Sequence, residues 1–186
     1  MGHARYLAYV LRHKWWVLVY GLHFGVPLWR LIVHDASKFS AAEWGPYVRK
    51  FYGGSSPRDA TGAYDQNAQG DEFKAAWRHH WTSNPHHWEF WAHMQHPLLT
   101  MPVPLDDPWE MPETYVREMV ADWHGAGRAQ GKGDDVSAFY RANGPRMRLH
   151  PDTRALVERL LLLIGVRPMD LDQGRAPADP IEGGTA

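Results

Sequence analysis

Residues 31–39 read LIVHDASKF, and this stretch decides how the rest of the chain is interpreted. An apolar run leads into the pair His34–Asp35, and Lys38 follows one turn later. On a helix, neighbouring side chains diverge by about 100°. The pair therefore reaches one common point only if that point lies off the helix surface, as a bound metal ion would. Lys38 lies over the same patch, where an ammonium group could hold a phosphate. Taken alone, such a pair more often has a structural or surface role, because His-Asp pairs occur by chance in most chains.

The side chains that the chain can offer as metal ligands limit the kinds of metal site that it can form. It has 12 histidines and no cysteine, which excludes disulfides, thiolate metal sites and cysteine nucleophiles. Any metal must be held by His, Asp and Glu side chains. Imidazole and carboxylate together favour a divalent transition or borderline metal, namely iron, manganese, zinc, nickel or cobalt, as one ion or two.

Length and charge indicate a soluble single-domain protein. The 186 residues carry a net charge of −1, with a sequence pI near 6.9. This balance gives no electrostatic reason to expect nucleic acid or an anionic membrane as partner. The apolar run 15–29 is too short to span a bilayer and contains Gly, His and Pro. Nothing near the N-terminus resembles a signal-peptide cleavage site. We expect a cytoplasmic protein without a membrane partner.

Hydrophobic periodicity and turn residues predict an all-α fold. Ser40 and Glu43 have the spacing of a capping box, Asp71 is a candidate cap for a later helix, and Gly125, Gly127 and Gly131 are expected to end another. No segment has the period of a strand. We predict one domain over residues 1–167, containing a long loop at 53–70 and a proline-rich loop at 97–112, followed by a disordered tail at 168–186. The predicted helices cover residues 4–20, 28–35, 41–51, 72–83, 86–91, 112–124, 137–143 and 151–163.

The possible metal ligands are spread over several predicted helices, as in sites built inside helical bundles. Two histidine pairs flank a tight turn, which would bring one histidine of each pair close together. Helical spacing with Phe73 and Trp77 favours His80 over His79, without excluding the latter. Each member also has a plain structural interpretation, as a helix end, a cap or a solvated acidic face. The candidates are His13, His34, Asp35, His79, His80, His86, His87 and Asp122.

The order of these residues resembles the HD superfamily of metal-dependent phosphohydrolases. Its signature is an early His, a His-Asp pair, further histidines in two-metal members and a late Asp. The segment 34–38, HDASK, is similar to the His-Asp-x-Gly-Lys segment of the HD-GYP branch, although the Gly-Tyr-Pro element is absent. The chain also resembles a small bacterial and phage family of unknown function in residues 12–14, 34–39, 111–112 and 118–123 and in the paired histidines around Asn84.

This resemblance implies an HD-like helical bundle around a site for one or two metals. His13, His34, Asp35 and Asp122 would bind the first ion, and Asp35 would bridge to a second, which His80 and His86 would bind with the help of His79 and His87. The implied reaction is hydrolysis of a small phosphate ester, such as a nucleotide. Lys38 would neutralise charge on the phosphoryl group, and Glu118 would orient a histidine or move a proton.

Two other functions fit the same sequence. Some HD proteins use two irons to activate oxygen, so a di-iron oxygenase has the same ligands. A binding module that retains the fold without catalysis is the third possibility, in which Trp77, Trp81, Trp88 and Trp91 would stack on bases. The neutral charge makes nucleic acid unlikely as a partner. Core packing is the simpler explanation of these tryptophans.

Overall fold

The computed structural model describes residues 1–53, 70–93, 108–131 and 136–163. Over these ranges the chain forms α-helices and two short 3-10 turns, with no strand, which confirms the all-α prediction. The helices are α1 (Gly2–His23), α2 (Leu28–Val33), α3 (Ala41–Tyr52), α4 (Asp71–Ser83), α5 (Trp88–Ala92), α6 (Glu113–Ala129), α7 (Val136–Asn143) and α8 (Pro151–Leu163).

The two longest helices, α1 and α6, form the central pair of the bundle. They pack closely because α6 has a glycine at the point of contact. A Cβ added to Gly125 would lie 2.4 Å from Val17 Cγ2 and 3.0 Å from the Val17 backbone nitrogen. The sequence-based prediction that Gly125 and Gly127 end the helix is therefore wrong, whereas Gly131 does follow the last residue of α6, Ala129, by two positions. Gly125 lies inside α6 and allows the backbone of α1 to approach.

Two apolar cores lie along α1 and meet at a polar layer. One core packs α1 against α6 and α8 and includes Val17, Val120 and Leu160. The other packs α1 against α3 and α4 and includes Val10 and Tyr47. About two turns of α1 separate Val10 from Val17, and the buried His13 lies between them. The polar layer is therefore enclosed by packed side chains on both sides.

The His34–Asp35 pair lies outside the helix that was predicted to contain it. α2 ends at Val33, His34 is extended, and Asp35 is left-handed with φ 56° and ψ 24°. A 3-10 turn, Ala36–Phe39, follows. This left-handed conformation costs most residues about 1–2 kcal/mol, whereas Asp is among the residues that tolerate it. The break turns both side chains inward, and both are buried.

Two other local predictions are wrong for related reasons. Ser40 makes no capping hydrogen bond through its side chain, and Glu43 is buried and contacts His79 and His80 instead of reaching back to the helix end. α4 begins at Asp71 with Gly70 as its N-cap, so Asp71 lies inside the first turn. α1 also continues through Gly21, whose missing side chain leaves room for Leu31 of α2.

Several predicted features lie outside the described residues. These are residues 54–69 of the long loop, residues 97–107 of the proline-rich segment and the tail 168–186. The single-domain boundary at residue 167 stays a prediction. None of the helices described is long and apolar enough to cross a membrane.

The close contact at Gly125 generates a stability prediction. Gly125→Ala should lower the free energy of unfolding by about 1–3 kcal/mol, because the added methyl group overpacks the α1–α6 contact. Urea denaturation followed by far-UV circular dichroism measures this change. Gly70→Ala is the control, since its Cβ would meet nothing within 4 Å. Equal stability of the two variants would contradict the close-packing explanation.

Candidate metal centre

The carboxylate of Asp35 is the centre of the polar layer. Its Oδ2 atom lies 3.1 Å from His13 Nε2 and 3.4 Å from His34 Nε2. Its Oδ1 atom lies 3.5 Å from both His80 Nε2 and His86 Nε2. The two oxygens of one fully buried carboxylate therefore face two different groups of imidazoles.

On the Oδ2 side, four side chains from three parts of the chain converge. His13 comes from α1, His34 and Asp35 from the break after α2, and Asp122 from α6. Asp122 Oδ1 is 3.1 Å from His13 Nε2 and 3.5 Å from His34 Nε2. One ligand atom from each of the four lies within 4.8 Å of all the others. This spacing is compatible with four ligands around one cation.

On the Oδ1 side, histidines from α4 and from the turn that follows it meet. Asp35, His86 and His87 each offer a ligand atom within 4.8 Å of the others. His80 Nε2 lies 2.9 Å from His87 Nε2. The turn between the two histidine pairs thus brings members of both together, as the sequence predicted.

His79 is the one predicted ligand that lies outside both groups. Its Nδ1 atom is 2.7 Å from Glu43 Oε1, and its side chain is 41 % exposed. His80, by contrast, is buried and has its Nε2 atom directed at Asp35. The helical spacing that favoured His80 over His79 therefore agrees with the orientation of α4.

Buried polar atoms that lack a hydrogen-bond partner indicate whether these residues fit a cation. His34 Nε2, Asp35 Oδ1 and His86 Nε2 are buried and make no hydrogen bond within the described part of the chain. An unsatisfied buried polar group costs about 1–3 kcal/mol. All three atoms point towards the space around the Asp35 carboxylate, where a cation would satisfy them together. The residues therefore fit a metal, and these buried clusters could bind one.

Glu118 fixes the orientation of the histidines that follow α2 and α4. Its Oε1 atom accepts a hydrogen bond from His34 Nδ1 at 3.0 Å and lies 3.4 Å from His86 Nδ1. Its Oε2 atom accepts hydrogen bonds from the guanidinium of Arg30, at 2.9 Å from Nε. When His34 is neutral, as a metal ligand must be, a proton held on Nδ1 by this carboxylate leaves the Nε2 lone pair facing the centre, as in many metal sites.

Glu43 does the same for the histidines of α4. It is fully buried, and its Oε2 atom accepts a hydrogen bond from His80 Nδ1 at 2.8 Å. Asn84 adds a second restraint by donating to the His80 carbonyl and to Ser37 Oγ, both at 2.7 Å. Sequence analysis missed this role of Glu43, because a partner 37 residues away leaves no local pattern.

The protonation states also suit ligand binding. Burial alone would raise the pKa of Asp35, but His34, Lys38 and His80 hold it well below its ordinary value. Burial and the charge of His34 hold the pKa of His86 well below its ordinary value. Burial and His80 likewise lower the pKa of His87 to about 3. Asp35 is therefore ionised at neutral pH, and both imidazoles are neutral, which are the forms that bind metals.

His34 and Lys38 hold positive charge beside these carboxylates. Burial would lower the pKa of His34, but Asp35, with Asp122 and Glu118, raises it to about 9. Lys38 pairs through its ammonium group with Asp35 Oδ2. Burial alone would lower the pKa of Lys38, but the negative charge of Asp35 outweighs burial and holds this pKa above its ordinary value. Without a metal, these two cations neutralise the negative charge of the cluster.

Glu89 is a second residue that sequence analysis missed. Burial raises its pKa to about 7, and its Oε2 atom lies 4.0 Å from His87 Nδ1. The residue lies in the first turn of the short helix α5, beside the Oδ1 side of the centre. Only its position next to a histidine pair distinguished it in the sequence.

Glu43→Gln tests how His80 is oriented. The amide can donate to His80 Nδ1, which would place the imidazole proton on Nε2 and remove the lone pair that faces Asp35. We expect metal affinity to fall about 10- to 100-fold, measured by calorimetric titration with Zn²⁺ or Mn²⁺. Glu72→Gln is the matched control, since Glu72 pairs with Arg49 at the surface. Equal affinities of the two variants would show that Glu43 does not support a metal ligand.

The comparisons with known proteins identify a family without assigning a reaction. No curated protein and no solved structure matches the chain significantly. The model of a family of unknown function, DUF5662, matches residues 2–163. This range includes both sides of the candidate centre and nearly all of the described residues. The chain belongs to the DUF5662 family.

Proposed function

We propose that this protein is a metal-dependent phosphohydrolase that acts on a small phosphate ester, such as a nucleotide. The observation that carries the proposal is the Asp35 carboxylate, whose two oxygens face separate groups of imidazoles. A carboxylate in this position can bridge two cations. Two-metal sites of this general type catalyse the displacement of phosphate esters.

The chain offers a ligand set for each of two divalent ions. His13, His34 and Asp122 would bind one ion together with Asp35 Oδ2. The other ion would be bound by Asp35 Oδ1 with the histidines from α4 and the turn after it, His80, His86 and His87. Bound cations would supply a water of lowered pKa and would polarise the oxygens of the phosphoryl group.

Lys38 supports a phosphate substrate in particular. Its ammonium group lies against Asp35, where it is nearly buried, and the carboxylate keeps its pKa above the ordinary value. It therefore carries a positive charge at any physiological pH. A fixed cation next to the metal ligands stabilises negative charge that develops on a phosphoryl oxygen. In a reaction with dioxygen, the charge of Lys38 would have no comparable role. The lysine therefore favours hydrolysis over the di-iron oxygenase.

The two buried glutamates have a positioning role in this proposal. Glu118 accepts from His34 Nδ1 and Glu43 accepts from His80 Nδ1, so each holds a proton on the nitrogen that faces away from the centre. Arg30 keeps Glu118 in place from the other side. The order His, His-Asp, Asp along the chain adds the resemblance to HD phosphohydrolases as a second line of support.

Hydrolysis by the reconstituted protein tests the proposal. Protein loaded separately with Mn²⁺, Fe²⁺, Co²⁺, Ni²⁺ or Zn²⁺ would be assayed for phosphate release from p-nitrophenyl phosphate and a nucleotide panel. We expect at least one metal to support turnover, and Asp35→Asn to reduce it to the level of metal-free protein. Asp71→Asn is the control, because that carboxylate is fully exposed and belongs to no candidate metal cluster among the described residues. Iron-dependent oxygen consumption without phosphate release would instead favour the oxygenase.

Lys38→Gln separates metal binding from catalysis. The variant lacks the charge beside Asp35 but retains every proposed ligand. We expect its metal content to equal that of the wild type, while kcat falls about 10²- to 10³-fold. Lys74→Gln, at an exposed position of α4, is the matched control. Unchanged kcat in Lys38→Gln would remove the proposed role of the lysine in phosphoryl chemistry.

A further inference from the structure

The outer face of α1 exposes an unusual amount of apolar surface. Five large apolar side chains on this face are between 39 % and 60 % exposed: Leu7, Leu11, Trp15, Val19 and Leu22. Their spacing places them within one third of the helix circumference, beside the buried stripe that contains Val10 and Val17. A helix on the surface of a monomer would normally carry charged residues here.

The short helix α2 continues the same surface. Four of its six residues are large, apolar and between 54 % and 64 % exposed: Leu28, Trp29, Ile32 and Val33. The other two face the interior or α6, since Leu31 is buried and Arg30 pairs with Glu118. α2 therefore has an apolar side in the core and a second apolar side in solvent.

The two exposed faces form one surface, which we call the α1–α2 face. α2 runs back along α1, with Leu31 packed against Gly21 and the Lys14 ammonium donating to the carbonyl of Ile32 at 3.1 Å. Both helices meet α6 on their inner sides, through Val17 against Gly125 and Arg30 against Glu118. Their solvent-facing sides therefore point the same way.

The area of this face matches that needed by a protein interface. A fully exposed large apolar residue presents roughly 200 Å², and the nine side chains are each about half exposed. Together they present roughly 900 Å², compared with roughly 800 Å² per partner in a standard interface. The largest apolar patch on a typical monomer is only about 300–600 Å².

The nearby cations argue against a lipid partner. Residues 1–34 contain four Lys and Arg residues and no Asp or Glu, a balance that would suit an anionic membrane. Each of these four contacts its own chain, however. Arg5 lies over the Tyr52 ring, Arg12 donates to the Ala129 carbonyl, Lys14 donates to the carbonyls of Ile32 and His34, and Arg30 binds Glu118. Lipid headgroups would have to compete with these contacts.

We propose that the α1–α2 face binds the same face of a second copy of this chain. A two-fold axis through the face would pack two antiparallel helix pairs into a four-helix layer with an uncharged centre. Such an isologous contact needs no charge complementarity between the protomers. It explains why α2 is apolar on both its inner and its outer sides. The inference is independent of the reaction catalysed.

Analytical ultracentrifugation of the full chain tests the dimer. The wild type should sediment at twice the chain mass of 21.3 kDa. The double substitution Leu11→Glu and Ile32→Glu should raise the dimer Kd at least about 100-fold, because it buries charge at the centre of the interface. Leu163→Glu is the control, since Leu163 is exposed on α8 and should leave the dimer intact.

A second measurement avoids any effect of the charged substitutions on folding. The chain has no cysteine, so Trp15→Cys and Leu163→Cys each introduce a single thiol. The thiol at position 15 should react with maleimide several-fold more slowly than the thiol at position 163, and the difference should vanish on dilution to monomer.

Several results would overturn the proposal. A wild type that stays monomeric would overturn it. That monomer could bind vesicles of equal parts phosphatidylcholine and phosphatidylserine, or it could dimerise only after removal of residues 164–186. The first result would assign the face to a membrane, and the second to the chain's own C-terminal segment. A dimer that persists in the double variant, with position 15 freely reactive, would place the interface elsewhere.

Discussion

The structure depends on one buried carboxylate. Asp35 is fully buried, its charge is balanced by Lys38 and His34, and further imidazoles lie on both sides of it. An isolated carboxylate could not remain ionised there, because desolvation would force it to take up a proton. The surrounding helices are therefore arranged so that each contributes a polar group to Asp35 or to a histidine that contacts it. The left-handed backbone at Asp35 directs the side chain into this position.

The apolar packing follows from the same requirement. His13 and Asp122 meet because Gly125 lets α6 approach α1, and the two cores on either side of His13 exclude water from the layer between them. With little solvent, each hydrogen bond from Glu43 or Glu118 to an imidazole holds its ring firmly. The candidate ligands are therefore held in place by hydrogen bonds within the chain before any cation binds. Preorganisation of this kind would suit the two-metal reaction that we propose.

The features that follow from helical periodicity were predicted well from the sequence. The all-α class and α8 followed from helical spacing, and the preference for His80 came from its spacing with aromatic residues on α4. Errors occurred where tertiary contacts override a local rule. Glu43 has the spacing of a capping box but binds His80 instead, and Gly125 resembles a helix end but lies inside a helix contact. The break at Asp35 has no turn signal before it, so only the packed structure reveals it.

The central claim is that the two oxygens of Asp35 serve two cations, and anomalous diffraction tests it most directly. Crystals grown with Mn²⁺ would be measured at the manganese absorption edge. We expect two anomalous peaks. One should lie beside Asp35 Oδ2, among His13, His34 and Asp122. The other should lie beside Oδ1, among His80, His86 and His87. A single peak on the Oδ2 side would reduce the centre to one metal and contradict the bridging role. No peak at Asp35 with any of the candidate metals would show that the cluster is structural.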